Sequence, residues 1–145
     1  MKKIVLFDWQ TSYQKGLKAI LKLLKIEYDI LILPAIHYSY ISSLDEKEIA
    51  LILMDIGYIK EQELQKEMDL LSHKNIPIAI ITMNPKTVDP LFITKYDNVR
   101  GILSKRMETR EFILALEKIL KGQRYIHIDF GEVMFNHLCK SNTNK

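Results

Sequence analysis

Asp8, Asp55, Thr82 and Lys105 each close a short apolar run, in the contexts VLFD, LILMD, IAIIT and GILSK. Together these residue types can handle a phosphoryl group. A carboxylate attacks phosphorus as a nucleophile and becomes an acyl phosphate, which assigns that role to Asp55. Asp8 then helps to hold Mg²⁺, a hard cation that takes oxygen ligands. The Thr82 hydroxyl hydrogen-bonds a phosphoryl oxygen, and Lys105 opposes the phosphate as a point charge. Taken singly, each residue also has a plainer reading. A strand-end Asp caps the next helix, a strand-end Thr caps a turn, and a loop lysine is solvated. Four such residues on successive strand ends are much harder to ascribe to chance.

The elements that must position them follow from the apolar pattern. Ile4–Phe7, Ile30–Leu33, Ile49–Met54, Ile78–Thr82 and Val99–Leu103 are near-continuous apolar runs. Continuity, rather than alternation, marks strands covered on both faces. Amphipathic stretches separate them. Thr11–Gln14 has the form of a capping box, and Tyr13, Leu17, Ile20, Leu21 and Leu24 follow at helical spacing. Ile36, Tyr40, Ile41 and Leu44 trace a second helix, and Leu64, Met68 and Leu71 a third. Asp89-Pro90 reads as an N-cap and an N1 proline, so the fourth helix is expected to be short and to start late. Phe112, Ile113, Leu116, Ile119 and Leu120 mark a fifth, closed by Gly122 at C′. Phe130, Val133, Met134 and Leu138 suggest a short sixth.

Strand and helix thus alternate five times, which calls for a doubly wound parallel sheet. The expected fold is flavodoxin-like α/β, five strands in the order 2-1-3-4-5, with ligands at the carboxyl edge near strands 1 and 3. The expected organisation is one domain over 1–126, then a C-terminal helix or linker and polar tail over 127–145.

Composition sets the outer bounds. The chain has 145 residues, 48% hydrophobic and 27% charged, as in ordinary globular domains. A net charge of +3 does not by itself argue for nucleic acid. The single cysteine, Cys139, leaves no internal disulfide, so the cytoplasm is the expected compartment. No apolar run approaches a membrane span, and the run after MKK is too short for a signal peptide. His37, His73, His127 and His137 share no metal-ligand spacing.

With these residues in view, the sequence resembles the receiver domain of two-component response regulators, in particular the NarL/LuxR-type branch. The resemblance covers Lys2 to Ile126. It is carried by LILMDI, IPIAIITMN and above all RGILSKRMETREFILALEKILKGQRYI from Arg100. It implies a non-enzymatic signalling module that regulates transcription, with Asp55 as phosphoacceptor, Thr82 as the family hydroxyl and Lys105 as the family lysine. It also implies a sensor histidine kinase as partner and a homodimer through the first and fifth helices. DNA contact is expected only through a domain not present in this chain.

Several positions depart from the family pattern. The family carries two adjacent acids after strand 1; Asp8 matches the first, and Trp9 stands at the second. Indole cannot ligate Mg²⁺, so the expected metal set is reduced to Asp8, Asp55 and the Gly57 carbonyl. The Met-Pro after the phosphoacceptor is missing from IGYIKEQEL, Ile102 stands where strand 5 usually has an aromatic switch, and Pro90 interrupts the fourth helix. These departures support an alternative: a phosphorylation-independent pseudo-receiver acting as a dimerisation or protein-binding module. A lesser alternative is a haloacid-dehalogenase-like phosphatase, from the Asp-x-Gln of FDWQTS; it leaves Asp55 unexplained.

Overall fold

The computed structural model describes residues 2–7, 11–24, 28–33, 43–57 and 60–143, except for the side chains of 11, 12, 33 and 141–143. Six strands form one parallel sheet: β1 Lys3–Phe7, β2 Asp29–Leu33, β3 Ile49–Asp55, β4 Ile78–Thr82, β5 Val99–Ser104 and β6 Tyr125–Ile126. Their order is β2-β1-β3-β4-β5-β6. The described helices are α1 Thr11–Leu21, α2 Glu61–Lys74, the single turn α3 Leu91–Thr94, α4 Thr109–Leu120 and α5 Ile128–Thr143. Asp8, Trp9 and the second expected helix around Ile36–Ile41 lie outside the described residues.

The expected order 2-1-3-4-5 is present, with one correction: the sheet has six strands, not five. β6 pairs with β5 through Gly101↔Tyr125 and Ile102↔Ile126, and the ladder continues as His127 N–H donates to the Ile102 carbonyl (2.9 Å). Two residues are too few to produce a periodic signal, so this edge strand was not legible. Gly101 accommodates it. A Cβ there would lie 2.5 Å from Ile119 Cδ1 and 3.4 Å from the Tyr125 carbonyl oxygen.

The continuous apolar runs bury both faces of the sheet. On one face Val5, Phe7, Ile52, Met54, Ile78, Ile80 and Ile102 pack with Leu64, Met68 and Leu71 of α2, Phe92 of α3 and Phe130 of α5. On the other, Ile4, Leu6, Leu51, Leu53, Ile81 and Leu103 pack with Leu17 and Leu21 of α1 and Phe112, Leu116 and Ile119 of α4. The sheet is therefore wrapped from both sides, and its charged residues are displaced to the strand ends.

Helix termini follow local chemistry. Asp89 Oδ1 accepts from Leu91 N–H (3.0 Å), so α3 starts late, as Asp89-Pro90 implied. Gly122 adopts φ +87°; its N–H donates to the Ile119 carbonyl and that of Gln123 to the Lys118 carbonyl, both at 3.0 Å. This is a Schellman closure of α4. The start of α5 had no such signature. His127 Nδ1 accepts from Asp129 N–H (3.2 Å), so an imidazole fills the capping role.

Candidate functional site at the carboxyl edge of the sheet

Asp55 is the last residue of β3, and Thr82 is the last of β4. Asp55 pairs in register with Ile81, which sets Thr82 one residue beyond it. Thr82 in turn pairs with Ser104, the last residue of β5, and Lys105 follows. Parallel pairing therefore delivers three of the four predicted residues to one edge. Asp8, the fourth, lies outside the described residues; the phosphatase reading rests on it.

The centre of the site is a buried ion pair. Lys105 Nζ lies 2.5 Å from Asp55 Oδ2, with side-chain exposures of 1% and 5%. The other carboxylate oxygen, Oδ1, accepts from Gly57 N–H (2.9 Å). A Cβ at residue 57 would come within 3.3 Å of that oxygen, so glycine keeps the approach open. Both charges are withdrawn from water; each is compensated by the other, and the carboxylate also by a directed backbone donor.

The turn that carries Lys105 is fixed from both ends. Lys105 N–H donates to the Thr82 carbonyl (2.8 Å), and Met107 N–H to the Ser104 carbonyl (3.2 Å). Ser104 Oγ accepts from Arg106 N–H (3.1 Å). The Thr82 hydroxyl accepts from Asn84 N–H (3.2 Å). A hydroxyl is also a donor, and among the described residues no bond takes that proton.

Two participants were not singled out in the sequence. Tyr13, assigned there to the core, sets its ring under Lys105, with Nζ 4.4 Å from the centroid, a cation–π distance. Ser104 organises the turn. Neither carries a pattern of its own, since each acts through a neighbour. Ile102 of β5 is fully buried.

The group implied by the fold is Mg²⁺. The oxygen donor seen at the site is the Asp55 carboxylate, which suits a hard cation; Mg²⁺ is commonly held by one or two carboxylates and waters. Asp55 and Gly57 are the members of the expected set within the described residues. No group of three His, Cys, Asp or Glu that could hold a metal forms among those residues. Among the described residues, Asp55 and Gly57 are thus the two that would hold such an ion.

A separate cavity of about 370 Å³ lies between α2 and α3, lined in part by Ile56, Leu64, Leu91, Phe92 and Tyr96. It begins one residue past Asp55, where the proline-flanked α3 is only one turn long.

With this geometry in hand, comparison with known proteins bears on the fold. A LuxR-family two-component response regulator from Aurantimonas sp. superposes with a TM-score of 0.68 at 18% identity, over 94% of this chain and 97% of that one. The fold is that of response-regulator receiver domains. A signal receiver domain from Clostridium thermocellum gives 0.62 at 21% identity, over 83% of this chain and 98% of the other. The Salmonella typhimurium response regulator RcsB gives 0.66 at 16% identity over 92% of this chain, which spans 66% of RcsB. No protein-family model and no curated protein matches the sequence. No helix among the described residues is long and apolar enough to cross a membrane.

Proposed function

We propose that this receiver-fold chain is a signal-receiving module in which Asp55 accepts a phosphoryl group from a phosphohistidine or a small acyl phosphate. The observation that carries this reading is the convergence of Asp55, Lys105 and Thr82 at the carboxyl edge of the sheet. An Asp55 oxygen attacks phosphorus, a new O–P bond forms, and the bond to the donor breaks with its electron pair leaving on the donor. Lys105 neutralises charge on the transferred group, and the uncommitted Thr82 proton is donated to a phosphoryl oxygen. Mg²⁺, when bound, supplies further charge neutralisation. Lys105 then exchanges its carboxylate partner for the phosphoryl oxygens, and the turn at Ser104–Met107 is released to bias a downstream interface. In this reading the partner is a sensor histidine kinase, and transcription is the output through a DNA-binding domain elsewhere.

The closed Asp55–Lys105 pair favours a second reading. A pocket that already satisfies its own charges can act as a phosphorylation-independent interaction module. Intact-mass analysis with acetyl phosphate, with and without Mg²⁺, separates the two. The first reading expects a single Mg²⁺-dependent adduct on the wild type that is absent from Asp55→Ala. An unmodified wild type, or an adduct that persists in Asp55→Ala, overturns it; the unmodified result leaves the second reading standing.

A further inference from the structure

α5 turns Phe130, Val133 and Met134 toward the core. Its opposite face is apolar as well: Ile128, Phe135 and Leu138 are 75%, 67% and 51% exposed. With Gly131 between them, these residues recur at spacings of three, four and three, the narrow seam of a helix that packs on one other helix. Ile128, Gly131, Glu132 and Phe135 also line a surface hollow. They stand at i, i+3, i+4 and i+7, the four corners of a hole that receives a side-chain knob. The floor of that hole is open, since a Cβ on Gly131 would meet nothing within 4 Å.

We infer that this seam is a docking surface for a second copy of the same chain, with the two α5 helices antiparallel. The choice of occupant follows from self-complementarity. An antiparallel two-fold centred near Val133 sets Phe135 of each copy over Gly131 of the other, and Ile128 against Leu138. Large meets small twice, and each hollow receives an aromatic knob. Parallel pairing would oppose Phe135 to Phe135 and Gly131 to Gly131, leaving crowding at one level and a void at the next. The exposed leucines near α1 and on α4, Leu23 and Leu114, belong to no such repeat. About three turns of helix bury roughly 800 Å² in total, below the size of a standard stable interface. The dimer is therefore weak and concentration-dependent. It stands whether or not Asp55 is phosphorylated.

Sedimentation equilibrium of the full chain, from about 10 μM to about 1 mM, covers the affinities such an interface supports. The expected result is a monomer–dimer equilibrium for the wild type and a monomer throughout for Phe135→Asp. Gly131→Leu is the decisive variant. It raises helix propensity, so it stays folded, yet it fills the hollow and should also remain monomeric. Leu114→Asp should dimerise as the wild type does. A monomeric wild type, a dimer that survives Phe135→Asp or Gly131→Leu, or a dimer lost in Leu114→Asp overturns the proposal. Cys139 reports direction. Antiparallel helices hold the two Cys139 residues roughly 18 Å apart along the axis, so oxidation should link the wild type no faster than Phe135→Asp. Faster linking of the wild type overturns the antiparallel arrangement.

Discussion

Lys105 keeps its ammonium under cover by meeting three different demands at once. Asp55 supplies the opposite charge, Tyr13 supplies a π face, and the backbone on either side is tied to Thr82 and Ser104. Ion pairs this buried gain little over well-packed apolar groups, but losing one partner leaves an uncompensated charge and costs about 3–5 kcal/mol. Lys105→Met and Asp55→Asn should therefore each lower unfolding free energy in urea titrations, Lys105→Met by roughly 3 kcal/mol. The double variant should recover much of the loss, giving a coupling of about 1–3 kcal/mol in the cycle. Additive losses would mean that the two charges are solvated independently. Asp55, Thr82 and Lys105 were legible in the sequence because each closes an apolar run, and parallel register does the rest. Tyr13 was not, because its approach to Lys105 joins residues far apart in sequence and its spacing also suits the core.

Among the helices, α2 carries the least expected element-scale feature. Its inward face holds Leu64, Met68 and Leu71, as the spacing predicted, but Glu67 is buried with them. Glu67 Oε2 has no hydrogen-bond partner among the described residues. Burial, reinforced by the nearby charge of Glu63, pushes its carboxyl up to about 7. The folded state therefore binds this proton more tightly than the unfolded chain does. The stability linked to it is complete below pH 4.5 and is lost as pH rises to about 7, at up to about 1.4 kcal/mol per pH unit. Glu67→Gln should flatten that slope, measured as unfolding free energy at intervals between pH 4.5 and pH 8. A wild-type curve already flat across this window would place the carboxylate in contact with solvent. Periodicity located the helix correctly, but it cannot say that a polar residue one position from Met68 shares its burial. The same limit explains α5. Phe130, Val133 and Met134 were legible as one face, whereas Leu138, read with them, points the other way.

At the scale of the whole molecule, the sheet has two coverings of different construction. α1 and α4 make one layer, each marked by a clear apolar stripe. The other layer is assembled, among the described residues, from α2, the single turn α3 and α5, and it adjoins the cavity beside Ile56. Because α3 is so short, this layer depends on what α5 brings. Phe130 is fully buried and belongs to the same cluster as Phe92, Tyr96 and Ile102. The helix beyond Ile126 thus completes the core on the face where the fourth helix is curtailed. Phe130→Ala should consequently act as a core truncation and lower unfolding free energy by about 3–5 kcal/mol. Its effect should also be local to that layer. Hydrogen exchange should accelerate in α5 and β6 before it does in α1 or α4, because β6 is a two-residue edge strand paired with β5 and continued by the ladder into His127, next to the start of α5. Uniform acceleration across both layers would show that the two faces unfold as one cooperative unit. A loss below about 1 kcal/mol would instead show that α5 rests on a core already closed without it.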